Sequence, residues 1–169
     1  MQSRKLFPSH DLEGRGFTGT GPRKTGWSIV YDHTNTVLHL LKYNGSTSLL
    51  KTVSWTASTA TSYDLAIVRD GDNVYFYVNG TQQGSTQTGV SATSYNREEA
   101  NGLYIGSYEY DSGPTTSYLD GQIGAIRIDS AANYTGSSYT VETLTNNANT
   151  LYLNTFTGAD TSTPSENTQ

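Results

Sequence analysis

Hydrophobic and polar residues alternate most clearly in residues 63–80, YDLAIVRDGDNVYFYVNG. Since successive side chains of a strand point to opposite faces, the second half of this stretch places Val74, Phe76 and Val78 on one face. The two runs meet at residues 69–73, RDGDN, where Asp, Gly and Asn tolerate a positive φ or bond their own backbone. The pattern predicts a β-hairpin with a tight turn.

The same alternation predicts further strands on both sides of this hairpin. The predicted strands are Trp27–Asp32, Val37–Tyr43, Leu49–Trp55, Tyr63–Arg69, Val74–Asn79, Gly102–Tyr110, Gln122–Asp129 and Leu151–Phe156. Asn44-Gly45 predicts a turn between the second and third strands. Residues 65–68, LAIV, leave no polar face, so we expect that strand to be covered on both sides near the middle of a sheet. Many short strands separated by turns are typical of a sandwich or barrel.

Composition supports an all-β protein. The chain has 169 residues, of which 34% are hydrophobic and only 15% charged, and it contains no cysteine. A chain of this length fits one domain with a sizeable core, and the lack of cysteine excludes disulfides and thiolate zinc sites. No apolar run reaches the length of a membrane span, and residues 1–10 lack the apolar segment of a signal peptide. We therefore expect neither membrane insertion nor secretion by that route.

The charges are unevenly distributed along the chain. Residues 1–24 contain five basic and two acidic residues, a net +3, which leaves −8 for the rest of a chain whose net charge is −5. The basic residues are Arg4, Lys5, Arg15, Arg23 and Lys24. We predict a flexible basic arm over residues 1–25, a β-sandwich domain over residues 26–158 and a polar tail over residues 159–169. The arm is either a solvated terminus or a segment that docks on an acidic neighbour.

Five blocks of sequence carry a resemblance to a known family. In chain order they are YDLAIVRDGDNVYFYVNGTQQG, GLYIGS, LDGQIGAIRID, AANYTG and NTLYLNTFTG. Over residues 26–158 the chain resembles laminin-G-like, concanavalin A-like jelly-roll domains, in the version common in bacteriophage structural and tail proteins. The resemblance implies an antiparallel β-sandwich. It does not imply one function, because this fold hosts lectins, glycosidases, adhesion modules and spacers.

Two positions depart from the family pattern. Family members usually carry an acidic pair where this chain has Gly124 and Ala125, so the role of that pair is not transferred. The family also usually begins with an apolar strand before the segment that corresponds to Ser3–Phe7, where this chain has almost nothing. The sheet is therefore predicted to have an open edge or one that a partner strand completes.

No catalytic constellation is evident, and we predict that the protein is not an enzyme. Glycosidases of this fold need two neighbouring carboxylates, whereas Glu109 and Asp111 are interpreted as solvated charges at a strand end. His10, His33 and His39 show no metal-ligand spacing. No cofactor is predicted, although loop carboxylates make calcium a weak alternative. Its candidate ligands, each also an ordinary turn former, are Asp32, Asp70, Asp72, Asp111 and Asp120.

Tyrosines provide the candidate ligand or interface surface. Five rings are predicted to project from the non-core faces of their strands: Tyr75, Tyr77, Tyr104, Tyr108 and Tyr110. A tyrosine ring with its hydroxyl suits both sugar stacking and protein interfaces. The alternative is that these rings cover the second face of the sandwich or only favour strand formation.

Two functional hypotheses follow. In the first, the chain is a virion structural or decoration module, located on the virus particle, that binds other virion protein chains and forms a homo-oligomer. In the second, it is a lectin-like receptor-recognition or adhesion domain that binds glycans at an extracellular surface. Neither hypothesis includes a nucleic-acid partner.

Overall fold

Regular structure in the described part of the chain consists of β-strands in antiparallel pairs. The computed structural model describes residues 26–44, 47–90, 105–109, 114–119 and 121–156. The strands, numbered along the chain, are β1 Gly26–Asp32, β2 Val37–Asn44, β3 Thr47–Ser54, β4 Leu65–Asp70, β5 Asn73–Val78, β6 Thr81–Gln82, β7 Ser107–Glu109, β8 Pro114–Tyr118, β9 Ile126–Asp129 and β10 Thr150–Asn154. The predicted all-β, antiparallel fold class is confirmed.

The strands belong to two compact units. The first, the meander unit, takes its described residues from residues 26–59 and 105–119. It contains a three-stranded sheet in the order β1-β2-β3 and a two-stranded sheet of β7 and β8. The second, the hairpin unit, takes its described residues from residues 60–90 and 121–156. It contains a three-stranded sheet in the order β4-β5-β6 and a two-stranded sheet of β9 and β10.

The hairpin predicted around residues 69–73 is confirmed. β4 and β5 pair antiparallel, with Asp70 opposite Asn73, so Gly71 and Asp72 form the connection. Gly71 has a φ of +56°, a conformation that glycine adopts without the steric cost of a Cβ. β2 and β3 also pair as predicted, with Asn44 opposite Thr47, while Gly45 lies outside the described residues.

The core of the hairpin unit includes both faces of β4 and β5. Leu65, Ile67 and Phe76 lie on one face and are at most 3% exposed. Ala66 and Val68 on the other face are fully buried. The prediction that residues 65–68 are covered on both sides is confirmed. Within the described residues, however, β5 is the middle strand of the sheet and β4 lies at its edge.

Several strand boundaries differ from the predictions. β9 begins at Ile126 rather than at Gln122, because the glycine-containing stretch before it does not enter the ladder. β10 ends at Asn154, and Phe156 has a φ of +45°. Strands β6 and β8 were not predicted from the sequence; β8 begins at Pro114, the position in a strand where proline is tolerated.

No helix in the described ranges is long and apolar enough to cross a membrane. The predicted domain boundaries and the predicted open edge of the sheet stay predictions.

Candidate functional site

Tyr75 and Tyr77 lie inside the hairpin unit rather than on its surface. Tyr75 is 9% exposed and Tyr77 is fully buried. They share a face with Ala66 and Val68, and the partly buried Ala132, Tyr134 and Tyr139 pack against this face. The prediction of an exposed ring is therefore wrong at both positions. The alternative, that the rings cover the second face of the sheet, is what the structure shows.

The cover over this face is the segment of residues 130–141, which we call the strap. The Tyr77 hydroxyl donates to the carbonyl of Gly136 at 2.7 Å. The rings of Tyr134 and Tyr139 stack with centroids 3.9 Å apart, and both meet Tyr77 edge to face. Edge-to-face aromatic contacts add to the free energy of burial, so the strap is bonded to the hairpin through one connected aromatic cluster.

Backbone contacts hold the far end of the strap to the end of β5. The amide of Tyr139 donates to the carbonyl of Gly80 at 2.8 Å, and the amide of Gln82 donates to the carbonyl of Ser137 at 3.0 Å. The Tyr139 hydroxyl also bonds the Asp64 carboxylate. Gly80 has a φ of +76°, and a Cβ there would collide with the Tyr139 carbonyl. The close approach of strap and hairpin therefore requires glycine at this position.

Burial changes the chemistry of Tyr77. Burial, followed by the proximity of Tyr75, raises the pKa of Tyr77 to about 12. The hydroxyl therefore stays protonated and acts as a hydrogen-bond donor to the strap. In this arrangement Tyr77 has a structural role.

The remaining predicted tyrosines and the predicted arm lie outside the described side chains. The backbone of Tyr108 belongs to β7, but its side chain, together with Tyr104 and Tyr110, lies outside the described residues. So do the basic residues of the arm, which are Arg4, Lys5, Arg15, Arg23 and Lys24. Their roles stay predictions.

The described calcium candidates belong to different units. Asp32 belongs to the meander unit, whereas in the hairpin unit Asp70 ends β4 and Asp72 lies in the β4–β5 turn. Asp111 and Asp120 lie outside the described residues. No group of three or more His, Asp or Glu side chains among the described residues is arranged to hold a metal ion.

Asp32 stabilises a turn, which is the alternative to calcium binding that the sequence suggested. Its carboxylate accepts hydrogen bonds from the Asn35 amide at 3.0 Å and from the Asn35 side chain at 2.7 Å. Burial acts to raise the pKa of Asp32, but the Asn35 hydrogen bonds and His39 outweigh burial and hold the pKa below its usual range. An ionised carboxylate thus stabilises the turn between β1 and β2.

His39 lies on the same face of the β1-β2-β3 sheet as Ser28 and Asp32, because Val30 pairs with His39 and Ser28 pairs with Leu41. Burial lowers the pKa of His39, and Asp32 opposes that effect. Within the described part of the chain, neither His39 Nδ1 nor Ser28 Oγ has a hydrogen-bond partner. Burial thus favours a neutral imidazole, and His39 is a packed residue of the sheet.

A buried ion pair organises β9. Arg127 Nε donates to Asp129 Oδ2 at 2.9 Å, and both side chains are almost fully buried. The same carboxylate accepts hydrogen bonds from Asn133 at 2.7 Å and from Thr150 at 3.0 Å. Arg127 also donates to the carbonyl of Thr145 at 3.0 Å. Hydrophobic alternation alone would place Ile126 and Ile128 on the more buried face of β9, yet the charged pair is the more deeply buried.

An aromatic cluster at one end of the β1-β2-β3 sheet was not predicted from the sequence. This cluster, the aromatic rim, consists of Tyr31, His33 and Trp55. The rings of Tyr31 and Trp55 have centroids 5.1 Å apart, and His33 meets Tyr31 edge to face at 6.4 Å. Tyr31 is buried, Trp55 is partly exposed and His33 is exposed. The rim therefore presents one indole and one imidazole beside a buried phenol.

Hydrogen bonds fix the rim in place. The Trp55 amide donates to the carbonyl of Thr36 at 2.8 Å, which joins the end of β3 to the β1–β2 turn. The Tyr31 hydroxyl accepts from the Ala57 amide at 3.0 Å. The neighbouring turn exposes Thr34 and Asn35. Aromatic rings are thus held next to hydroxyl and amide groups on a hydrogen-bonded turn.

The register of the predicted hairpins could have revealed the rim. In a three-stranded meander, the end of β1, the start of β2 and the end of β3 lie side by side, as the pairs Asp32–Val37 and Val37–Ser54 show. Tyr31 lies near the end of β1, and His33 and Trp55 directly follow the ends of β1 and β3. The signal was therefore a set of aromatic residues at adjoining strand ends, rather than an alternation within one strand.

Comparison with family models gives one match. A model of the laminin G type, described as the concanavalin A-like lectin/glucanases superfamily, matches residues 9–134, about three quarters of the chain. Comparisons with curated proteins and with solved structures gave no match.

Proposed function

The chain belongs to the concanavalin A-like lectin/glucanases superfamily, and we propose that it is a non-enzymatic module whose ligand is a carbohydrate. The observation that carries this proposal is the aromatic rim. A pyranose has an apolar face of C–H groups and an edge of hydroxyls, and an aromatic ring beside polar groups complements both. In the rim, Trp55 and His33 provide the rings, and Thr34 and Asn35 provide the polar groups.

Three of the described carboxylates are engaged in the fold, which favours a binding role over a hydrolytic one. A retaining glycosidase needs a nucleophile and an acid about 5–5.5 Å apart, each free to act on the sugar. Here the Asp129 carboxylate is buried and paired with Arg127, and the Asp32 carboxylate is bonded to Asn35. Asp64 is bonded to Tyr139. Each of these acids stabilises the fold.

The test is binding of the labelled full-length chain to a glycan array, followed by titration calorimetry with the strongest ligand. We expect Trp55→Ala to weaken binding about tenfold or more, which corresponds to about 1.4 kcal/mol. His33→Ala, at an exposed position, should cause a smaller loss. Ser54→Ala is the matched control, because Ser54 is adjacent to Trp55 but on the opposite face of β3, and it should bind as the wild type does.

Folding of each variant is checked by urea unfolding, since Trp55 also packs on Tyr31. An array without hits contradicts the carbohydrate proposal. Binding that Trp55→Ala and His33→Ala both leave unchanged contradicts the assignment of the rim.

A second candidate function is that of a structural module which contacts other protein chains on a virus particle. The observation in its favour is the charge asymmetry, with +3 in residues 1–24 and −8 in the remainder. Opposite charges favour docking of the arm on the acidic body of a neighbouring chain, and the resemblance to phage structural domains suggests the particle. The proposed location is then the virion, and the proposed partners are other virion proteins or further copies of this chain.

Deletion of residues 1–24 tests this candidate. We expect the truncated chain to lose assembly with its partner chains in a salt-sensitive manner, as measured by light scattering at low and high ionic strength. Assembly that survives the deletion contradicts a docking arm.

A further inference from the structure

Thr36 has a backbone conformation that its side chain disfavours. Its φ is +51°, in the left-handed region. The other non-glycine residues of the described ranges with a positive φ are Ala60, Asn79 and Phe156, so Thr36 is the β-branched member of this set. A β-branched side chain makes a positive φ a genuine outlier, which indicates strain. Strained residues persist where their surroundings hold them, and they cluster at ligand-binding sites.

The strain lies in a turn that glycine or asparagine could have formed at lower cost. Residues 33–36 connect β1 to β2, and Thr36 is the last of them. Hairpin connections often need left-handed residues, and glycine or asparagine usually supplies them. The β5–β6 connection of this chain follows that rule, since Asn79 and Gly80 have φ values of +49° and +76°. The β1–β2 connection departs from the rule at Thr36.

The left-handed conformation of Thr36 is joined to the aromatic rim by a hydrogen bond. The Thr36 carbonyl accepts from the Trp55 amide at 2.8 Å. Val37 pairs with Ser54, so this bond lies one residue beyond the paired strands. The backbone angles of Thr36 determine where its carbonyl points. The bond therefore fixes the backbone from which the Trp55 indole projects.

The residue before Thr36 is held as well. The Asp32 carboxylate accepts hydrogen bonds from the Asn35 amide at 3.0 Å and from the Asn35 side chain at 2.7 Å. Thr36 is thus held between Asn35 on one side and Trp55 on the other. Both contacts oppose the relaxation of Thr36 to a negative φ, because that rotation would move the peptide groups on its two sides. One of these contacts reaches the ring that the proposed ligand would stack on.

We propose that Thr36 is a positioning residue of the aromatic rim. Its left-handed backbone, rather than its hydroxyl, directs the carbonyl that holds Trp55, and through this bond it fixes the indole against which a sugar stacks. A ring that is held in place before binding loses less conformational entropy when the ligand binds. The part of Thr36 in binding rests on the carbohydrate function proposed above, whereas its effect on Trp55 requires no ligand.

Hydrogen exchange of the Trp55 amide, measured by NMR without ligand, tests the positioning. Proline cannot adopt a positive φ, so we expect Thr36→Pro to speed this exchange at least about tenfold relative to the Val74 amide, which bonds Gln87 in the hairpin unit. Thr36→Gly removes the hydroxyl but takes the same conformation without strain, and its Trp55 amide should exchange as in the wild type. Ala60→Pro is the matched control, a proline at another left-handed residue, and it should leave the exchange of Trp55 unchanged.

A second pair of variants decides the case in which Thr36→Pro does not fold. Asp32→Ala removes the hydrogen bonds to Asn35 that oppose the relaxation of Thr36, so exchange of the Trp55 amide should rise about tenfold. Addition of Thr36→Gly to this variant removes the strain and should restore the protection of Trp55. Failure of this rescue overturns the proposal, as does unchanged Trp55 exchange in a folded Thr36→Pro variant.

The glycan array separates the role of Thr36 from the proposed function. Thr36→Pro should lower the array signal at least about tenfold, and Thr36→Gly should bind as the wild type does. Array binding that Thr36→Pro leaves unchanged overturns the role of Thr36 in binding. A wild-type chain without hits contradicts the carbohydrate proposal, while the exchange of the Trp55 amide still supports or overturns the positioning by Thr36.

Discussion

Tyr77 shows, at the level of single residues, that the alternation of hydrophobic and polar positions does not by itself predict which side chains are buried. Its position in β5 places it opposite the aliphatic face, as the alternation predicts, yet it is fully buried. Its hydroxyl is accommodated because the carbonyl of Gly136 accepts its proton, and a buried hydroxyl without such a partner would destabilise the fold. A tyrosine on the second face of a strand is therefore compatible with the core when a later segment supplies an acceptor.

The role of Tyr77 predicts an alkaline loss of stability. Burial raises the pKa of Tyr77 from 10.0 to about 12, so the unfolded chain releases this proton first. The contribution of Tyr77 is complete below pH 10 and is lost as the pH rises towards 12. Urea unfolding of the wild type and Tyr77→Phe over this range should show a smaller decline in the variant.

At neutral pH, Tyr77→Phe should lower the free energy of unfolding by about 1 kcal/mol, because the hydrogen bond to Gly136 is lost. Tyr75→Phe is the control, since the Tyr75 hydroxyl makes no hydrogen bond within the described ranges, and it should be close to neutral. Equal effects of the two substitutions would contradict the role assigned to the Tyr77 hydroxyl.

Gly80 and Gly71 form a matched pair of left-handed residues. A Cβ at Gly71 would meet nothing within 4 Å, whereas a Cβ at Gly80 would collide with the Tyr139 carbonyl. Gly71→Ala should therefore cost about 1 kcal/mol, for the conformation alone, and Gly80→Ala clearly more, about 2 kcal/mol or above. Urea unfolding measures both, and equal losses would mean that the strap does not approach Gly80 closely.

Among the elements, β9 shows that a charged face can be the buried one. Arg127 and Asp129 alternate with Ile126 and Ile128. The hydrophobic pattern of this strand predicts that the isoleucines face the core and the charged residues face away from it. Burial of the pair is possible because Asn133 and Thr150 also bond Asp129 and Thr145 accepts from Arg127. A buried charge needs such compensation. The ion pair connects β9 to the strap and to the start of β10.

Two variants separate the loss of the ion pair from the cost of leaving one charge buried without its partner. Arg127→Met leaves the Asp129 carboxylate buried without its cation, and we expect a loss of about 3–5 kcal/mol in unfolding free energy. The double variant Arg127→Met/Asp129→Leu should lose less than this single variant, because no unpaired charge remains. Glu142→Gln, at an exposed position, is the control and should change stability by less than about 0.5 kcal/mol. A double variant less stable than Arg127→Met would contradict a desolvation penalty.

At the scale of the whole molecule, the sequence supports a single all-β family but not a metal requirement. The acids named as calcium candidates are divided between the two units or lie outside the described residues. In the described part, the Asp32 carboxylate already accepts two hydrogen bonds from Asn35. In the described ranges, Asp32 is thus engaged in a turn and is not grouped with two further acidic or histidine side chains.

We therefore expect the melting temperature to be the same with a chelator and with added calcium. Calcium bound at a hundred times its dissociation constant would add about 2.7 kcal/mol, a shift of several degrees in a chain of this size. Differential scanning calorimetry detects such a shift easily. A calcium-dependent rise would contradict this expectation and direct attention to Asp111 and Asp120.

Features that depend on residues close together in the chain were predicted from the sequence, and features that depend on distant residues were not. The β4–β5 hairpin and the burial of residues 65–68 were predictable because turn residues and alternation act within a few positions. β8 was missed because PTTSY at residues 114–118 has little apolar alternation. The aromatic rim was missed because its members come from two hairpins and only the paired register brings them together.

The sequence by itself determined most of the strands, the β4–β5 turn, the all-β class and the family, because period-two alternation and turn chemistry are local properties of the chain. Only the tertiary structure decided which faces are covered. The Gly136 carbonyl that bonds Tyr77 lies 59 residues along the chain from it, and Tyr139 and Asp64 are 75 residues apart. Such contacts depend on the path of the folded chain, and no local pattern encodes them. For the same reason, the candidate ligand surface is the rim at Trp55, because the folded chain buries Tyr75 and Tyr77.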